Sequence, residues 1–244
     1  MCIRDSYSAA AVLAGSMVLL MDDVHLTRSE HLQVFSAFRH LKFDPLFRKL
    51  LGCWMILGFG NLLCFSLFVE YVANPKYGYD LSEVMVSYIT SALPEFVFLL
   101  FVIGWGVVFD RVDFFLLRVL LNLIFIAGIL VFFLGHGVWA LAVGISLHSL
   151  ARSGGNIAWS LWATKFAKAE HVAEYMSLHT FLCGVRGVIA PFVAFPMAAA
   201  YGPQAVACLG AGLIAIASLI LLPNVRFRLV SGDPGEAEPN PRVS

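Results

Sequence analysis

In 244 residues the chain carries 60% hydrophobic and 13% charged side chains, equal numbers of acidic and basic groups, and a mean hydropathy of +0.84. Water-soluble domains have roughly 45–50% apolar and about 25% charged residues, so this composition excludes an ordinary soluble domain. The zero formal net charge, without a basic tract carrying interleaved aromatics, excludes nucleic acid as a partner.

The first six residues, Met1–Ser6, read as the in-frame translation of a common sequencing adapter, which marks residues 1–6 as an expected artefact joined to a truncated gene. A signal peptide with Arg4 as its charged region and Ala9–Met21 as its apolar region is the alternative. On the first reading, residues 7–21 are the remnant of a transmembrane helix, about 15 residues being short of the ~20 that cross a bilayer. Residues 22–49 are polar, with Leu32, Phe35, Phe38 and Leu41 recurring every three residues. This is the pattern of a linker containing a helix at the membrane interface, or of a connector packing its apolar residues on the bundle.

Six apolar spans are predicted within residues 50–222: Leu50–Ala73, Val84–Phe109, Phe114–Leu134, Val138–Phe166, Val172–Ala200 and Gln204–Leu222. Chain breakers separate or end them at Asn74-Pro75, Gly135-His136-Gly137, Gly202-Pro203 and Pro223-Asn224. Residues 223–244 form a tail rich in Pro, Gly and Glu with the composition of a disordered segment. Arg39, Lys42, Arg48, Lys49, Arg111, Arg118, Lys165, Lys168, Arg226 and Arg228 all fall on one side of this topology, whereas the other connectors carry only Lys76. The positive-inside rule therefore predicts a cytoplasmic linker and a cytoplasmic C-terminus, which requires an even number of spans.

Polar residues at membrane depth concentrate on four of the six spans. Asn61 lies near the middle of the first, Glu95 of the second, Arg152 and Asn156 of the fourth, and Arg186 of the fifth; the interiors of the third and sixth read as free of ionised residues. A charge in hydrocarbon costs ~2.5–3.5 kcal/mol on insertion scales, so these groups should face a bundle interior or a watery cavity. His148, Arg152, Asn156 and Trp159 share a helical face, as do His179 and Arg186. Glu95 paired with Arg152 or Arg186 could simply be a packing salt bridge. As a set, two arginines against one glutamate leave a positive excess that a bound anion could neutralise. Ser153-Gly154-Gly155, Gly184, Gly187, Pro191 and Pro196 could allow close helix approach or bending. None of Cys2, Cys53, Cys64, Cys183 and Cys208 forms a CxxC or a Cys/His pair at metal-ligand spacing, so neither a disulfide, a metal nor another cofactor is indicated. HExxH, GxSxG and paired acidic motifs at membrane depth are likewise missing, which disfavours an enzyme.

The stretch GWGVVFDRVDFFLLR after the second span carries Gly106, Asp110 and Arg111, a glycine followed after three residues by Asp-Arg. It resembles the opening of the signature loop of the major facilitator superfamily, which lies between the second and third helices of each six-helix half. The later glycine is replaced by Asp113 and the basic pair by Phe114 and Phe115. The stretch EYMSLHTFLCGVRGVIAPF, containing Arg186-Gly187 and Pro191, also resembles the fifth helix of such a half in bacterial members. The resemblance implies an all-α membrane protein, a six-transmembrane-helix bundle equivalent to the C-terminal half of a transporter, in the bacterial inner membrane. It further implies a lipid bilayer as surroundings, a missing N-terminal half of the same protein as partner, and alternating access for a small-molecule substrate. Asn61, Glu95, Arg152, Asn156 and Arg186 would line the site, with Glu95 the group for proton coupling, and Gly106, Asp110 and Arg111 would belong to the gating loop. A non-transporting six-helix membrane subunit or receptor is the alternative.

Overall fold

The computed structural model describes residues 36–167 and 171–225. The expectations for residues 1–6, 7–21, 22–35 and 226–244, and the topology charges Lys168, Arg226 and Arg228, lie outside the described residues. Within them the chain is helical: α1 (Ser36–Phe43), α2 (Pro45–Phe65), α3 (Phe68–Ala73), α4 (Glu83–Ser87), α5 (Leu93–Arg111), α6 (Phe114–Leu134), α7 (Gly137–Phe166), α8 (Val172–Tyr201) and α9 (Pro203–Leu221).

Several boundaries have a local cause. Asp44 accepts from Phe47 N at 2.9 Å and Pro45 occupies the first turn, so α2 begins five residues earlier than the predicted Leu50. Asp113, the residue that departs from the signature glycine, accepts from the backbone N–H groups of Phe115 and Leu116 at 3.1 and 3.0 Å. That position caps α6. Gly137 and Gly202 hold φ of 78° and 86°, a region that L side chains rarely adopt, and they start α7 and end α8.

Among the described residues five segments, Pro45–Ala73, Glu83–Arg111, Phe114–Leu134, Val172–Tyr201 and Pro203–Asn224, are long and apolar enough to cross a membrane. At 30 residues α7 is as long as any of them. It falls short of the other five in apolarity because His148, Arg152, Asn156 and Lys165 lie along it. The first span breaks at Ser66-Leu67 between α2 and α3. The second runs from α4 through a π-helical turn, Tyr88–Ala92, into α5. Pro94 follows that turn without an N–H to donate, and its carbonyl accepts from the Ser149 hydroxyl, which ties the irregular stretch to α7.

Packing is led by α7 against α6 and α5, α9 against α2 and α6, and α2 against α8. Two crossings are backbone on backbone. A Cβ added at Gly60 would stand 2.6 Å from the Gly210 carbonyl oxygen, and one at Gly128 would stand 2.7 Å from the His148 nitrogen. Without lipid-facing water to drive association, such small-residue contacts are what hold helices together. By contrast Gly184 and Gly187 would meet nothing within 4 Å and so make no close approach here; among the sequence candidates Gly154 does, against Trp105 and Leu121.

The third and sixth spans, expected to carry no ionised residue in their interiors, are among the well-covered ones. Half of α6 is buried, from Phe114 to Phe133, and α9 buries a continuous stripe from Pro203 to Leu221. In α5 only Pro94 and Phe109 are buried. On α8, Phe181, Val188, Phe192 and Phe195 are exposed. The second and fifth spans are therefore the uncovered ones.

Candidate functional site

The polar residues at mid-span separate into three groups. In the first, Arg152 on α7 donates from Nη2 to Glu95 Oε1 on α5 at 2.7 Å. Its guanidinium also lies 4.9 Å from the Phe98 ring centroid. The pair is open, the two side chains being 33% and 60% exposed. Asn156, one turn along α7, is exposed on the same helix. Glu95 leaves the π-helical turn almost at once, so the irregular backbone and Pro94 set the direction in which this carboxylate emerges.

The second group is closed. Asn61 on α2 shares a hydrogen bond of 2.8 Å with His148 Nε2 on α7. The imidazole is buried among the rings of Phe65, Phe68 and Phe125. Asn61 therefore serves a buried histidine as well as any role at a cavity.

The third group surrounds Trp54. Arg186 on α8 donates from Nη1 to the Trp54 carbonyl, and its guanidinium fills a notch above Gly58, where a Cβ would collide with it. Its Nε–H, like His179 Nε2, is buried with no hydrogen-bond partner among the described residues. Trp162 Nε1 donates to His179 Nδ1 at 3.0 Å, which makes Nδ1 the acceptor and places the imidazole proton on Nε2. Arg118 lies 4.7 Å over the Trp54 indole and gives two bonds, of 3.0 and 2.7 Å, to Asn122 Oδ1. Asn122 passes the chain on to Ser218 on α9 at 2.9 Å.

Arg118 was missed as a site residue. It stands one turn inside α6, where the sequence makes it a flanking topology charge, yet it is 2% exposed. The signal that could have found it is Asn122, an amide one turn further on the same face. Of the two predicted partners for Glu95, the structure brings Arg152 to it and sends Arg186 to the Trp54 backbone. The loop residues Asp110 and Arg111 are exposed at the end of α5, and Gly106 has open space where a Cβ would be.

An ion pair held open to the outside at mid-helix, next to a helix face otherwise made of Phe96, Leu99 and Ile103, can do two things. Protonating Glu95 would release Arg152, and an anion could replace Glu95 as its partner. The chain matches no protein-family model and no curated protein sequence.

Proposed function

We propose that the protein is a secondary transporter of the major facilitator type, moving a small anionic solute by alternating access, with this chain supplying six spans of its C-terminal half. The observation that carries the reading is the open Glu95–Arg152 pair, near the centre of the second apolar span and of the 30-residue α7. A charge pair facing hydrocarbon at that depth is costly, so its surroundings are a watery cavity or another polar protein face, and a transporter supplies both. The three arginines within the spans, Arg118 near the start of α6 and Arg152 and Arg186 at mid-span, against Glu95 support an anion as cargo. The uncovered faces of α5 and α8 support a second helical half as partner. The signature residues Gly106, Asp110 and Arg111 support a gating loop at the α1 end, which the positive-inside rule makes cytoplasmic. Glu95 is the group for proton coupling, and the bacterial inner membrane is the location.

The test is uptake by cells expressing the gene with its upstream reading frame, using radiolabelled small organic anions as probes. Glu95→Gln and Arg152→Ala should each abolish the uptake that the unaltered protein confers. Uptake untouched by both changes would sink the assignment of the site. An upstream frame without six further spans would favour the non-transporting subunit, for which the bare faces of α5 and α8 would be a docking surface.

A further inference from the structure

At the end of the bundle where α1 packs, three side chains from two distant parts of the chain converge. His40 Nε2 on α1 lies 2.5 Å from Glu174 Oε2 on α8, and His171 Nδ1, just before α8, lies 3.3 Å from the same oxygen. All three ligand atoms fall within 4.8 Å of one another. We propose that His40, His171 and Glu174 form a binding site for a divalent transition metal of the zinc class, which ties α1 to the start of α8.

The donor set decides the class of ion. Two imidazole nitrogens and one carboxylate oxygen suit zinc and its first-row neighbours, and they are a poor match for calcium or magnesium, which take oxygen ligands. Bonds of ~2.0–2.1 Å in a tetrahedral shell place neighbouring ligand atoms about 3.3 Å apart. The His171–Glu174 spacing of 3.3 Å already meets this. His40 and Glu174 must open from 2.5 Å, a change that side-chain rotation covers. Solvent reaches the cluster, since the side chains of His40, Glu174 and His171 are 14%, 35% and 38% exposed, so an ion can enter and a water can hold the fourth position.

The surroundings orient the ligands. The His40 ring lies 4.9 Å from both the His171 and the Tyr175 rings. Tyr175 in turn donates its hydroxyl to Asp44 Oδ2 at 2.6 Å, and Asp44 caps α2. His40 is thereby packed between two rings at the junction of α1 and α2. Residue spacing offers only the local half of the site, the i,i+3 pair His171 and Glu174, because His40 lies far away in sequence.

The experiment is a titration of the purified full chain in detergent with Co2+, followed by the visible absorption of tetrahedral cobalt and its displacement by Zn2+. The wild type should develop the bands and lose them to zinc. His171→Asn and Glu174→Gln, both at partly exposed positions, should each weaken binding at least about 100-fold, beyond the ~10–100-fold typical of removing an outer-shell partner. Helicity by circular dichroism checks that these variants fold, and the wild-type titration stands without them. A wild type without tetrahedral bands, or variants that bind as tightly as it does, would overturn the site.

Discussion

Gly58→Ala is the most direct probe of how Arg186 is held. The added methyl would occupy the place of the guanidinium, so Arg186 must leave its notch and give up its bond to the Trp54 carbonyl. The displaced cation then stands in a groove of about 360 Å3 whose other walls include Met55, Phe59, Leu182 and Leu213. Losing a hydrogen bond from a charged donor costs ~1.5–3 kcal/mol, and membrane environments sit at the low end of that range. Alanine in place of glycine inside a helix returns up to ~1 kcal/mol. The variant should therefore lose about 0.5–1 kcal/mol. In an Arg186→Ala background the clash is gone, and Gly58→Ala should gain about 0.5–1 kcal/mol from helix propensity. A double-mutant cycle by reversible unfolding in mixed detergent micelles measures the difference, about 1–2 kcal/mol of coupling. Coupling below about 0.5 kcal/mol would refute the notch, since the two sites would then be independent.

Asn122→Leu should strand the buried Arg118 guanidinium and cost about 2–4 kcal/mol, with Arg118→Met in the same chain restoring most of it; the same unfolding assay reads both. Gly128→Leu forces α6 away from the α7 backbone and should prevent the folded, monodisperse state seen by size-exclusion chromatography, whereas Gly184→Leu, whose Cβ meets nothing, should leave the chain's own fold intact. Asn61→Ala removes the hydrogen-bond partner of a buried imidazole and should cost about 1–2 kcal/mol, read as a lower midpoint in thermal melts.

Much of the helix layout was legible because glycine and proline act locally. The limits of α6 match the predicted Phe114–Leu134, and α7 and α8 differ from prediction by a single residue at one end. The break at Ser66-Leu67 and the π-helical turn at Tyr88–Ala92 were not legible, since neither carries a breaker within it; at the first the Ser66 hydroxyl donates to the Leu62 carbonyl, and the second is followed by Pro94. The mid-span polar residues stood out by their cost in an apolar setting, but their pairing did not. Glu95 could meet either arginine on charge alone, and Gly58, silent in sequence, determines where Arg186 lies. Arg118 was hidden by its place near a helix end, where an arginine ordinarily extends into the interface.

Whether the Glu95–Arg152 face looks into water is the point on which the transporter account turns. Single cysteines introduced as Glu95→Cys, Arg152→Cys and Asn156→Cys in a cysteine-free background, in native membranes, can be challenged with a membrane-impermeant thiol reagent. Leu120→Cys and Leu123→Cys on the exposed side of α6 serve as lipid-facing references. A water-facing pair gives labelling at the three polar positions and none at the two references. Equal resistance at all five would mean that the pair is sealed in protein or lipid, and the cavity would not exist.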